Sequence, residues 1–440
     1  MNRLSVVDEI FLRAHRGLGT PIALQGLWRT AEPVHPALLW RVHEELRTGP
    51  LGRRVVRSHV PGARPRWQPN AQAHPFTMTD QPIPTATLLD WADRQGADLN
   101  PEEGPGWRLS AARLDDGGCV VTLTCSHALA DGRALTLAVD HALTGTPLAA
   151  PIAEQSDWAD ARKQWGTVLG GTARALRRGI PRRPERPADR KALSATITRA
   201  VPVFVPSPIG PGAAKTDQKT VKRRPDTLTP GAVLQFPARE WNRVAVEHGG
   251  TANSLFVHLV ATMLWDSGFR ADTIAASLPV DTRDEPRVDN DMAMTEIAIA
   301  RDDDPATIRR KARKAYEHRM TSPGGIPEEL LQVIPDRLAF ALAKGAGERD
   351  ILCSNIGTLP DSLLTIGPHP CTGVAARAIH PGLRPDRLPR TRLSAYLARI
   401  ADSYTLSLVG LDPDTIPSSA ALIELATGAM TRIGLTATAW

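Results

Sequence analysis

Hydrophobic positions along the chain follow two periods, and the places where one gives way to the other mark the predicted elements. Leu4 to Leu12 and Pro36 to Leu46 carry apolar residues at helical spacing, the second stretch bounded by Pro33 and by Gly49-Pro50. Between these two helices, Ile22 to Trp28 reads as a strand, and Arg54 to Val60 reads as another, ending at Pro61-Gly62. Further on, Cys119 to Cys125 is a β-branched, apolar run that follows the turn signal Asp115-Asp116-Gly117-Gly118, which predicts a buried strand entered from a hairpin. After Gly132 the period becomes helical, with Leu135, Leu137, Ala138 and Ala142 on one side. Asp131 stands where a carboxylate can cap the first turn. His127 therefore falls in a strand-to-helix loop.

The same reading continues past an interruption. Asp157 to Leu176 is amphipathic at helical spacing, after which proline and arginine recur too densely for any regular element, through Pro181, Arg182, Arg183, Pro184 and on to Pro211. Regular patterning resumes with a strand at Ala232 to Phe236 and a helix at Ala238 to His248, ended by Gly249-Gly250. A second helix, capped by Thr251 or Asn253, runs to Gly268; strands follow at Thr273 to Pro279 and Tyr404 to Leu411, and a helix at Ser418 to Ile433. The expected organisation is an N-terminal lobe over 1–178, a Pro/Arg-rich linker or crossover over 179–230, and a C-terminal lobe over 231–440.

Composition narrows what such a chain can be. With 440 residues, 42% of them hydrophobic, it can bury a large core in two lobes. No run of about eighteen apolar residues offers a membrane span, and the first residues lack the apolar core of a signal peptide, so a cytoplasmic protein is expected. Cys119, Cys125, Cys353 and Cys371 show no Cys-x-x-Cys spacing, which predicts reduced thiols and no metal site. A net charge of +6 suits a phosphate-bearing donor, an acidic carrier protein or an anionic membrane surface. The basic 179–230 segment could touch such a membrane peripherally, although solvation is the commoner reason for such charge. Aromatic residues do not interleave with the basic ones, which argues against nucleic acid. A monomer is expected.

An imidazole held between a rigid strand and a rigid helix is fixed in position yet accessible, as a general base requires. A lone loop histidine is more often just a hydrogen-bonded side chain; the residues around this one change the weighing. Ser126-His127-Ala128-Leu129-Ala130-Asp131-Gly132 resembles the His-x-x-x-Asp-Gly signature of the chloramphenicol acetyltransferase-like superfamily, which includes condensation domains, wax ester synthase/diacylglycerol acyltransferases and polyketide-associated acyltransferases. Weaker matches follow in order. They are Leu4-Ser5-x-x-Asp8, the Gly49 to Arg54 segment, Gly62 to Trp67, Val280-Asp281-Thr282-Arg283, and Cys353-Ser354-Asn355-Ile356-Gly357. Asp289-Asn290 stands near the family's Gly-Asn position, without its glycine, and Trp107 reads as a core aromatic.

The resemblance implies an α/β (α+β) fold of two chloramphenicol acetyltransferase-like lobes in one chain, with an active-site cleft or tunnel at their interface. It implies His127 as general base, with Asp131 and Gly132 supporting the loop and Arg283 holding Asp131 in a bidentate pair; read alone, Arg283 is equally well a surface charge. Ser354 and Asn355 become candidates for steadying an oxyanion, a strand-edge turn being the alternative, and Ser126 stands where many relatives have a first histidine. The implied reaction moves an acyl group from acyl-CoA or a carrier-bound phosphopantetheine thioester to a hydroxyl or amine. No bound cofactor or metal is needed. The alternative is a silent condensation-like module that only docks a carrier protein.

Overall fold

The computed structural model describes residues 3–149, 156–179, 229–317, 330–334, 336 and 348–440. The expected linker over 179–230 lies, apart from its edges, outside the described residues. Fifteen strands, β1 (Ala23–Thr30), β2 (Arg53–Val56), β3 (Arg66–Pro69), β4 (Thr77–Ile83), β5 (Trp107–Leu114), β6 (Cys119–Ser126), β7 (Gly231–Pro237), β8 (Thr273–Asp281), β9 (Met292–Ala300), β10 (Ile351–Thr358), β11 (Thr365–Ile366), β12 (His369–Ile379), β13 (Leu393–Ile400), β14 (Ser403–Gly410) and β15 (Thr438–Ala439), form three sheets among the described residues. The first large sheet runs β11-β12-β1-β6-β5-β4, the second β15-β7-β14-β13-β10-β8-β9, and β2 pairs with β3 alone. No helix among the described residues is long and apolar enough to cross a membrane.

Local chemistry explains the elements around the site. β6 is buried at all eight positions, as a β-branched run between two neighbours and under covering helices should be, and each such fully buried aliphatic side chain contributes roughly 1.5–3 kcal/mol. The predicted hairpin is the β5–β6 turn, where Gly117 takes φ +88°. Helix α1 (Val6–His15) starts with a capping box between Ser5 and Asp8. Helices α2 (Pro36–Thr48), α3 (Leu88–Arg94), α4 (Gly132–Thr144) and α5 (Asp157–Gly179) follow in the first half, α4 capped by Asp131 and closed by left-handed Gly145. In the second half α6 (Ala238–Glu247) precedes α7 (Ala252–Asp266), which begins in a capping box between Thr251 and Ser254 and is buried on nearly all sides. Trp107 is fully buried, as a core aromatic.

Sheet membership does not follow the two halves of the sequence. β12, from the second half, inserts beside β1 in the first sheet, antiparallel from Ala23↔Ile379 to Thr30↔Cys371. β1 would otherwise be an open edge. Arg377 of β12 fixes the insertion: it donates from Nε to Gln25 Oε1 at 3.0 Å and pairs with Asp93, all three largely buried. A pattern search within one half does not find this strand, because its partner is in the other.

Candidate active site

The His127 loop ends β6 and is pinned on both sides. Its backbone N–H donates to Ile22 O at 3.3 Å, just before β1, and Phe11 of α1 stacks on the imidazole with ring centroids 3.5 Å apart and planes 13° from parallel. From the other half of the chain, the β8–β9 loop brings Asn290 against the ring. Asn290 Nδ2 donates to His127 O at 2.8 Å, to Asp8 Oδ1 at 2.8 Å and to Ala128 O at 3.3 Å. Three oxygens facing one amide group settle its orientation, so the group 3.2 Å from His127 Nδ1 is Asn290 Oδ1. That oxygen can only accept. Nδ1 therefore carries the proton, and in the neutral ring Nε2 holds the lone pair. Burial is the main influence on this imidazole and lowers its pKa, against smaller opposing effects of Asp131 and Asn290, so the neutral form is the resting one at neutral pH.

Asp131 is placed where the sequence put it, but its bonds are divided. Oδ1 accepts from Ala134 N at 2.8 Å, capping α4, while Oδ2 accepts from Arg283 Nη2 at 2.6 Å and from Asp291 N at 3.1 Å. The pair with Arg283 exists but is not the expected bidentate one, because one carboxylate oxygen is committed to the helix. Arg283 spends its other donors on Asp281 Oδ1 at 2.7 Å, on Arg287 O at 3.0 Å and on Asp289 O. Both side chains of the pair are nearly inaccessible, with 4% and 7% exposed. Gly132 meets the second half directly: a Cβ there would lie 2.8 Å from Ile356 Cδ1 of β10.

A cavity of about 450 Å³ opens at this junction, with walls from α1, β1, the motif loop, β8, β10 and β12. His127, Gly132, Ser354, Asn355 and Arg283 all line it. Its remaining lining is mostly apolar, with Ile10, Phe11, Leu135 and Met294 among it. The two oxyanion candidates separate. The Asn355 amide is engaged, Nδ2 with Asn253 Oδ1 at 3.0 Å and Oδ1 with Gly357 N at 3.0 Å, whereas Ser354 lines the cavity from the neighbouring position. Ser126 is buried and turned to a second cavity of about 530 Å³. Asn290 and Asp8 complete the site and were not among the expected site residues; the signals were the Asp289-Asn290 dipeptide and Leu4-Ser5-x-x-Asp8. Among the described residues no cluster of three or more His, Cys, Asp or Glu side chains is arranged to hold a metal ion.

This α/β architecture is shared with solved structures of a wax ester synthase/diacylglycerol acyltransferase and of condensation domains. Among solved structures sharing it is the wax ester synthase/diacylglycerol acyltransferase from Marinobacter aquaeolei VT8, 17% identical with a TM-score of 0.56, the match covering 98% of each chain. The first condensation domain of the CDA synthetase is 15% identical with a TM-score of 0.56, covering 99% of this chain and 98% of that one. Polyketide synthase associated protein 5 from Mycobacterium tuberculosis is 15% identical with a TM-score of 0.52, covering 98% of each. No family model and no curated protein sequence matches the chain.

Proposed function

We propose that the protein is an acyltransferase that moves an acyl group from a thioester, on CoA or on a carrier-bound phosphopantetheine, to a hydroxyl or amine acceptor. The observation that carries this reading is the Asn290 amide, whose orientation leaves His127 Nε2 as a bare lone pair in a buried cavity. Nε2 takes the acceptor's proton as its oxygen or nitrogen attacks the thioester carbon. The new C–O or C–N bond forms, the C–S bond breaks, and the proton passes from the imidazolium to the departing thiolate. Such a base contributes about 10²–10⁴-fold. Ser354 is the candidate to donate to the oxyanion, while Asp131 and Arg283 hold the loop and do not exchange protons. The apolar wall suits an acyl chain, and a carrier protein is a candidate partner.

Thiol release from a panel of acyl-CoA and acyl-carrier thioesters, with mixed alcohol and amine acceptors, tests the proposal. Acceptor-dependent release that His127→Ala abolishes is the expected result. Release that needs no acceptor points to a hydrolase. Silence across the panel with intact carrier binding points to a docking module instead.

A further inference from the structure

A second histidine stands beside the first on the opposite edge of β1. β6 ends at Ser126 and is followed by His127; β12 ends at Ile379 and is followed by His380; β1 runs between them, with Ala23 opposite both Ser126 and Ile379. The two histidines hang on successive carbonyls of one segment. His127 N–H donates to Ile22 O at 3.3 Å, and His380 Nδ1 pairs with Pro21 O at 2.9 Å. Two strand spacings separate their backbones, roughly 10 Å. A carbonyl oxygen only accepts, so His380 Nδ1 carries its proton and Nε2 presents a lone pair. That nitrogen is buried and has no hydrogen-bond partner, while His380 as a whole is 8% exposed.

A buried acceptor with nothing to accept is costly, which is why such groups call for an explanation. Burial, with a smaller contribution from the nearby His127, lowers the His380 pKa to about 4, so it remains a neutral acceptor at working pH. Its surroundings say what it could accept from. His380 lines both cavities, the apolar one it shares with His127 and the second one, whose wall includes Asp93, Asp98, His15 and Ser126. The second cavity is the more polar of the two.

Resting on the acyltransfer reading above, we propose that His380 is a specificity-determining residue: its Nε2 receives a hydrogen bond from a second hydroxyl of the acceptor, so the acceptor is a diol or larger polyol entering through the polar cavity. One hydroxyl faces His127 and is acylated, and its neighbour is held by His380. Acylation itself remains the exchange already described, with C–O formed, C–S broken and the proton delivered to the thiolate. A simple alcohol fills the same space but leaves Nε2 unpaired.

Two readouts test this on the full-length protein. The first compares 1,2-diols with the matching 1-alcohols as acceptors. In the wild type the diol is preferred in kcat/KM, and His380→Phe lowers that preference by about tenfold through KM, the weight of roughly one hydrogen bond. His380→Gln, whose Oε1 can replace the Nε2 acceptor, retains it. The second follows the imidazole ¹⁵N resonance of His380 Nε2 while propane-1,2-diol or propan-1-ol is added to His127→Ala protein, in which no turnover is needed. A shift with the diol alone supports the site even if no thioester is ever consumed, a result that would defeat the acyltransfer reading by itself. An unmoved resonance, or a diol preference untouched in a folded His380→Phe, overturns the role of His380.

Discussion

Asn290 Oδ1 lies 3.2 Å from His127 Nδ1 while the same amide's nitrogen faces His127 O, Ala128 O and Asp8 Oδ1, so one side chain from the second half of the chain decides which nitrogen of the imidazole is basic. Asn290→Ala removes that decision and leaves several buried groups unpaired, at roughly 1–3 kcal/mol each. Activity should fall by about 10²-fold or more, a large part of what a general base supplies. Steady-state rates beside a denaturant melt separate the two effects.

Because burial lowers the His127 pKa from 6.5, the acid limb of kcat/KM should have its midpoint below 6.5. Asn290→Asp places a carboxylate beside Nδ1, favours the imidazolium and moves that midpoint upward. A midpoint at or above 6.5 in the wild type would show that another group limits the rate.

The Asp131–Arg283 pair joins the motif loop to the β8–β9 loop in a nearly inaccessible position. Arg283→Ala strands the buried Asp131 carboxylate and should cost roughly 3–5 kcal/mol, whereas Asp131→Ala leaves Arg283 its pair with Asp281 and should cost less. The double variant should cost much less than the sum, and a chemical-denaturation cycle measures the difference. Full additivity, or a stable and fully active Asp131→Ala, would refute the structural role given to Asp131.

Gly132, at the start of α4, faces Ile356 of β10, its absent Cβ 2.8 Å from Ile356 Cδ1. A valine there must displace Ile356, which lines the cavity, so Gly132→Val should raise KM for long acyl thioesters more than for short ones. Ile356→Ala in the same chain should recover part of the loss. Kinetics over an acyl-length series provide the check.

Burial raises the Asp8 carboxyl from 3.8 to about 6, so between those values the native state binds more protons than the unfolded one. Native stability contributed by this group therefore falls as pH rises through that window, by up to about 3 kcal/mol. The buried imidazole of His127 acts in the opposite sense, its stability cost appearing as pH falls below 6.5. Asp8→Asn removes only the first dependence. Its stability relative to wild type should improve from pH 4 to 6 and then level off, which thermal melts in matched buffers can follow.

What could be read from the sequence was what neighbouring residues determine. The β6 strand, the Asp131 cap, the Thr251 cap and the helices after Ala238 and Thr251 are written in local spacing, and the structure places them within a few residues of expectation. Arg283 needed a resemblance, since nothing near it names a partner in the other half. Asn290 and Asp8 were present in noted fragments, but their chemistry lies in a contact between them. His380 gave no signal at all. Its strand, β12, has meaning only beside β1, and a lone histidine before Pro381-Gly382 looks like a turn.

The insertion of β12 beside β1 also sets a timetable. During synthesis, residues 23–30 and 107–126 leave the ribosome long before 369–379, so the β1 edge waits unpaired while most of the chain is made. An open strand edge invites the wrong partner, including the same edge of another nascent chain. A ribosome that stalls before residue 369 releases a fragment that contains the whole His-x-x-x-Asp-Gly motif and an adhesive edge beside it. Yield of this protein in cells should therefore depend on how quickly translation finishes, and on chaperones that shield β1 until it does.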